Sequence, residues 1–185
     1  MVSLVLPGTL EVVRQQVNQF LLNAEQRSDD WVVLCNALEP DGSTHAGAMN
    51  KIVMCVTNIY REPSHGTGPG QQLDVVVDLG FIANFAAAHY SDGLVALSLV
   101  ISCLHQQPLF TQLSHAALPE EVEKVSLEMV SLNPADLNHL FGMLGLKYQP
   151  SVFYRLRLLP YRAASTQPRL LPVRGGGLDP PADVS

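Results

Sequence analysis

The sequence predicts an α+β fold, a mixed and largely antiparallel sheet of about five strands with three helices packed on it, in the order αβββαβαβ. Three observations carry this. Two stretches repeat apolar residues at spacings of three and four, several shorter ones alternate at a spacing of two, and three strand-like segments succeed one another with no helix between them. The last feature argues against a doubly wound parallel sheet, which needs a crossover between consecutive strands.

The first helix is predicted over residues 8–25, where Leu10, Val13, Val17, Phe20, Leu21 and Ala24 form the apolar stripe and Thr9 is placed to cap it. Residues 31–36 form a short apolar run. A loop rich in turn formers comes next, and then residues 51–60, where Ile52, Met54 and Val56 alternate with Val53, Cys55 and Thr57. Both faces of that strand are apolar, so it is expected among the most buried. Pro and Gly crowd residues 61–72, which link it to a strand through Leu73, Val75, Val77 and Leu79. Ser91 and Asp92 are placed to cap a second helix with Leu94, Leu97, Ile101 and Leu104 inward, ended by Gln106, Gln107 and Pro108. Val125, Leu127 and Met129 alternate with polar neighbours as a half-buried strand. The third helix has the clearest limits: Asn133 caps it, Pro134 takes its first position, Leu137, Leu140, Phe141 and Leu144 make the stripe, and Gly145 ends it. Residues 151–159 close the fold as a strand, with Val152, Tyr154, Leu156 and Leu158 opposite Phe153, Arg155, Arg157 and Leu159.

The chain has 185 residues, 47% hydrophobic and 15% charged, enough apolar content for one domain with a real core. Residues 1–161 are expected to form it. Residues 162–185, rich in proline and with three consecutive glycines, are expected to be a tail that is flexible unless bound. A net charge of −6 disfavours duplex DNA or an anionic membrane as the main partner. The opening residues lack the basic stretch of a secretory signal, and the longest apolar run, 94–104, is broken by Ser98 and Ser102, well short of the roughly 20 residues that span a bilayer. No export signal and no transmembrane helix are expected. Cys35, Cys55 and Cys103, widely spaced in apolar sequence, suit buried free thiols and folding in the cytoplasm.

Tests for reaction chemistry return structural readings. The histidines show no metal-ligand spacing, so no metal is expected. The glycine-rich 65–70 lacks the lysine ending of a phosphate loop and opens onto no helix. Cys55 lies in an apolar strand, where burial raises a thiol's pKa. Asp74 and Asp78 are roughly 13 Å apart along a strand, too far for shared acid–base work. Neither an enzyme nor a cofactor is predicted.

Four stretches together resemble one family: NKIVMCVTNIYRE at 50–62, LDVVVDLGFIANF at 73–85, YSDGLVALSLVISCLHQQPLFT at 90–111 and SLNPADLNHLFGMLGLKYQPSVFYRLRLL at 131–159. They are similar to the N-terminal domain of the cap proteins, or tail terminators, of extracellular contractile injection systems of the Photorhabdus virulence cassette and antifeeding prophage type. The residues carrying the resemblance are Asn84, Phe85, Tyr90, Leu137, Asn138, Leu140, Phe141, Gly142, Leu144, Gly145, Lys147, Tyr148, Pro150 and Ser151. Phe141 stands where many relatives carry tryptophan, a conservative exchange. Longer relatives continue into a further C-terminal region, which the short tail here does not match.

The resemblance implies a structural role: a sixfold ring that closes the distal end of the inner tube and sheath and helps to set particle length. It implies tube and sheath subunits and other copies of the chain as partners, with no nucleic acid and no membrane insertion. It also implies assembly in the bacterial cytoplasm before the particle is released. The signature residues are expected to lie mostly in the core, with Gly142 and Gly145 serving close packing and helix termination. Arg155 and Arg157 share a strand face, where surface ion pairs are the first reading and a ring contact the second; Arg162 begins the tail and is the third candidate for an interface. The tail and the 61–72 loop are the segments expected to touch tube or sheath. The rival reading is an adaptor or effector-loading subunit of the same particle, and the remote one a hydrolase with an unrecognised site.

Overall fold

The computed structural model describes residues 5–25, 29–39, 41–62 and 73–161. Most of the loop at 61–72, and the whole tail with Arg162, lie outside them. Three α-helices and six strands appear in the order α1 (Val5–Glu25), β1 (Val32–Leu34), β2 (Lys51–Arg61), β3 (Leu73–Asn84), α2 (Tyr90–Gln106), β4 (Leu109–Thr111), β5 (Val122–Val130), α3 (Pro134–Met143) and β6 (Ser151–Tyr161). The sheet runs β1-β2-β3-β6-β5-β4, with β1 parallel to β2 and every other pair antiparallel.

The α+β class and the mixed, largely antiparallel sheet are therefore as expected, with one strand more than the sequence indicates. The extra strand is β4, three residues shortly after α2 that are too few to show an alternation. β3 also runs past Leu79 through Gly80 to Asn84. A glycine inside a strand marks a close approach. A Cβ at Gly80 would sit 3.0 Å from the Phe153 ring of β6 and 3.4 Å from the Cys55 sulfur of β2.

Alternation in β2, β3 and β6 sorts the core into two parts. Ile52, Met54, Val77, Leu79, Phe81, Tyr154, Leu156 and Leu158 meet α1 and α2 on one face. There Phe81 and Tyr154 contact edge to face with ring centroids 5.8 Å apart. Val53, Cys55, Ile82 and Phe153 meet Phe141 of α3 on the other. Because α3 is only ten residues long, it covers one end of that second face. β2 is thus buried on both sides only from Ile52 to Cys55, and Asn58 and Ile59 are exposed.

Two helix starts differ from expectation. α1 begins at Val5, so Thr9 is a buried helical residue whose hydroxyl donates to the Val5 carbonyl at 2.7 Å instead of capping. Pro7 is tolerated because the first four N–H groups of a helix have no intrahelical acceptor. α2 begins at Tyr90, ahead of Ser91 and Asp92, and no side chain caps its first turn; Asp92 instead meets His89 at 3.1 Å.

The inner face of α2 is also rotated from the expected one. Gly93, Ala96, Leu97, Val100, Cys103 and Leu104 are buried, while Leu94 is 41% and Val95 44% exposed. Small residues face inward because the helix comes close to β3. A Cβ on Gly93 would lie 3.0 Å from the Phe85 ring and 3.3 Å from Ala83. The helical stretch Ala87–Gln106 is long and apolar enough by length and composition to cross a membrane, contrary to the expectation from run length, yet its inner side is part of this core.

Burial raises the thiols of Cys55 and Cys103 to about 11. A thiol with a pKa higher in the folded than in the unfolded state favours folding fully below the unfolded value, and loses that contribution as pH rises through the folded one. Unfolding midpoints in urea are expected to be level up to about pH 9, fall towards about pH 11 and level off there. Half-buried Cys35 is expected to react first with a thiol reagent, the other two only on unfolding.

Candidate functional site

α3 is built from its ends. The Asn133 side chain accepts from the Asp136 backbone N–H at 2.9 Å, and Pro134 takes the first turn. At the other end the Gly145 N–H donates to the Gly142 carbonyl at 3.1 Å and the Leu146 N–H to the Phe141 carbonyl at 2.9 Å, the paired bonds of a glycine-terminated helix. Gly145 has φ +68°, which a side chain rarely adopts. Gly145→Ala is expected to cost about 1 kcal/mol in urea unfolding, with an unchanged denaturant slope.

This short helix and the loop after it bring six signature residues together. Leu137, Asn138, Phe141, Gly142, Lys147 and Tyr148 line one groove of about 450 Å³ on the flank of α3. Phe141 is 3% exposed and anchors the floor; Tyr148, 68% exposed, stands over it with ring centroids 5.6 Å apart. Lys147 and Asn138 are exposed. The expectation that the signature residues lie mostly in the core holds for Phe141, and in part for Leu137, Leu140 and Leu144, which pack against its cluster without being fully buried. It fails for Tyr90, Asn138, Gly142, Gly145, Lys147 and Tyr148, which are exposed; at Gly142 an added Cβ would meet nothing within 4 Å, so close packing is not its role. Periodicity identifies a stripe but not how much of it a partner element covers, which is why the exposure was not legible.

The other signature residues form a joint at the start of α2. The Asn84 side chain donates to the Ala48 carbonyl at 2.9 Å and accepts from Gln149 at 3.2 Å, while the Pro150 carbonyl accepts from Ala83 at 2.9 Å. Ser151 then pairs with Ile82, which starts β6 in register. Phe85 lies between Gly93 and Trp31, 6.3 Å from the indole ring. Tyr90 is 54% exposed at the head of α2.

Arg155 and Arg157 are ion-paired. Arg155 donates to Asp78 at 3.1 Å, and Arg157 to Glu62 at 3.0 Å and Glu128 at 2.8 Å. The hydrogen bond from Arg157 holds the Glu128 carboxyl below the usual carboxylate range. Register places Asp78, Arg155 and Glu128 side by side across three strands, on the part of the sheet that α3 leaves open. Between α3 and that open part lies a second groove of about 410 Å³. Among the described residues no three His, Cys, Asp or Glu side chains group as metal ligands.

An interaction the sequence does not announce closes one sheet edge. Asn18, 6% exposed, accepts from the backbone N–H groups of Trp31 and Val32 at 2.7 and 3.2 Å, and Arg14 donates to the Val32 carbonyl at 3.1 Å. α1 thereby occupies the N–H and C=O of Val32 at the start of β1, groups an incoming strand would need. The only signal is a polar residue beside Val17 in the apolar stripe.

Comparison with known families places this fold. The model of the Pvc16 N-terminal domain matches residues 9–175, and the chain belongs to that family. The structure is similar to that of the anti-feeding prophage cap (AFP tube terminating cap), with a TM-score of 0.52 and 14% identity over 95% of this chain and 60% of that one. It is also similar to the sheath/tube terminator of an extracellular contractile injection system, PVC, in the extended state, with a TM-score of 0.51 and 12% identity over 94% of this chain and 64% of that one. The chain therefore spans about 60% of the length of these proteins. No curated protein matches it.

Proposed function

We propose that this chain is a structural cap of a contractile, phage-tail-like particle, closing the distal end of its inner tube and sheath and helping to set its length. The observation that carries the reading is the family match over 9–175, supported by the likeness of the fold to two terminator structures. The work is that of a surface and not of a reaction. The buried thiols are held protonated, and the arginines are committed to carboxylates on their own sheet.

In this reading six copies form a ring through a heterologous interface that closes on itself. The α3 flank groove, with Tyr148 and Lys147 at its rim, is the surface that meets a neighbour, since aromatic side chains over partly apolar pockets are what interfaces use as anchors. Residues 1–161 make the body, and segments 61–72 and 162–185 reach tube or sheath. The chain assembles in the bacterial cytoplasm and leaves with the particle.

Particles made without this chain are expected to show open ends and a broad length distribution by electron microscopy; unchanged lengths with closed ends would overturn the reading. Tyr148→Ala is expected to leave the unfolding free energy within about 0.5 kcal/mol of the parent, because the ring is largely in solvent, while losing ring formation by light scattering and capping.

A further inference from the structure

α3 separates two surfaces of unlike character. At about 3.6 residues per turn, Asp136, Leu140 and Met143 share one side of the helix, while Pro134, Asn138 and Gly142 lie roughly opposite. The first side walls the groove of about 410 Å³ over the open sheet, and the second carries the flank groove of Lys147 and Tyr148.

The 410 Å³ groove is amphipathic. Leu140, Met143 and Phe153 give it an apolar side, and Thr57, Asn58 and the ion-paired Asp78 and Arg155 a polar one. Its volume is that of pockets that enclose a small organic group. Asp136 also lines it; its carboxylate accepts from the Asn133 amide at 2.7 Å and, among the described residues, has no cationic partner.

The flank presents matching chemistry. The Tyr148 ring is 68% exposed and backed by Phe141, and its hydroxyl makes no hydrogen bond among the described residues. A tyrosine held in this way offers an apolar ring with a polar tip and has little freedom left to lose on docking. Lys147 beside it is exposed, with no carboxylate partner among the described residues. Groove and tip are different patches on opposite sides of one helix. A copy whose tip fills a neighbour's groove therefore keeps its own groove for the next copy, which is the head-to-tail contact that can close into a ring.

We propose that the 410 Å³ groove receives the Lys147–Tyr148 tip of a second copy of the chain, with the phenol ring against Leu140, Met143 and Phe153, its hydroxyl towards Thr57 and Asn58, and the Lys147 ammonium on Asp136. This rests on the reading of the α3 flank as a ring surface, and it names what that surface meets.

The test is the mass of the full chain by light scattering across a range of concentrations, for the parent, Lys147→Glu, Asp136→Lys and an equimolar mixture of the two variants. The parent is expected to associate. Each variant alone sets like charges against each other and is expected to associate roughly tenfold more weakly or worse. In the mixture the two variants alternate. The new carboxylate of one then meets the new ammonium of the other, and the unchanged Lys147 meets the unchanged Asp136, so association is expected to return to within about threefold of the parent. Alternation closes in any ring with an even number of copies. A variant that had merely misfolded would not be rescued by mixing. Met143→Arg, at a position 65% exposed, obstructs the groove without touching the core and is expected to weaken association as the charge reversals do. A parent that stays monomeric, single variants that associate like the parent, or a mixture that does not recover would each overturn the proposal. Closed particles of ordinary length made without the chain would instead overturn the cap reading and leave the pairing in place.

Discussion

Phe141→Ala is expected to destabilise the protein by about 3 kcal/mol and to free α3 from the sheet. Phe141 is the buried helical residue of α3, 3% exposed, and packs against Val53, Cys55, Ile82 and Phe153. Deleting a buried phenyl ring removes its transfer free energy and leaves a cavity, a combined cost of about 3–5 kcal/mol. The lower end applies because Leu137, Leu140 and Leu144, which pack around the ring, can close part of the space. The effect should be local as well as global. A ten-residue helix is too short to persist without its packing face, so exchange at α3 should rise more than at β3. Equal acceleration over the whole sheet would show that α3 and the main core unfold as one unit. Because the flank groove rests on the same ring, this variant should also lose ring formation, whereas Tyr148→Ala should lose it without the loss of stability.

Asn18→Ala is expected to cost about 2–4 kcal/mol, more than an average polar-to-alanine change on a helix. One side chain accepts from two N–H groups at the edge of β1 and donates to Asp30 at 2.8 Å. Its removal strands two buried donors at about 1–3 kcal/mol each, partly relieved by water. Asn18→Asp restores the acceptor but sets a carboxylate beside Asp30, so it should recover only part of the loss. Urea unfolding of the three proteins checks the order. The opened edge has an effect of its own: with the Trp31 and Val32 donors freed, the alanine variant should self-associate more strongly with concentration than the parent.

Legibility in the sequence tracked how local the deciding physics was. α3 could be bounded closely because its signals lie within one turn of each end: the Asn133 acceptor, the fixed φ of Pro134 and the positive φ of Gly145. The faces of β6 were equally readable, since alternation is a property of the strand itself. The face of α2 was not. Its apolar residues surround much of the helix, and the choice between Leu94 and Gly93 as inward neighbour depends on how close β3 comes, which the Phe85 ring sets. β4 escaped because three residues become a strand only when β5 supplies the partner.

Periodicity, capping chemistry and the order of motifs were thus enough for the α+β class, the limits of the third helix and the resemblance that led to the family. Three features had to await the packed elements: the surface groove lined by signature residues, the seal that Asn18 makes on the edge of β1, and the part of one sheet face left uncovered beside α3. Exposure is a property of pairs of elements. It depends on the length of the covering helix and the width of the sheet beneath it, and neither is written in the residues that end up uncovered.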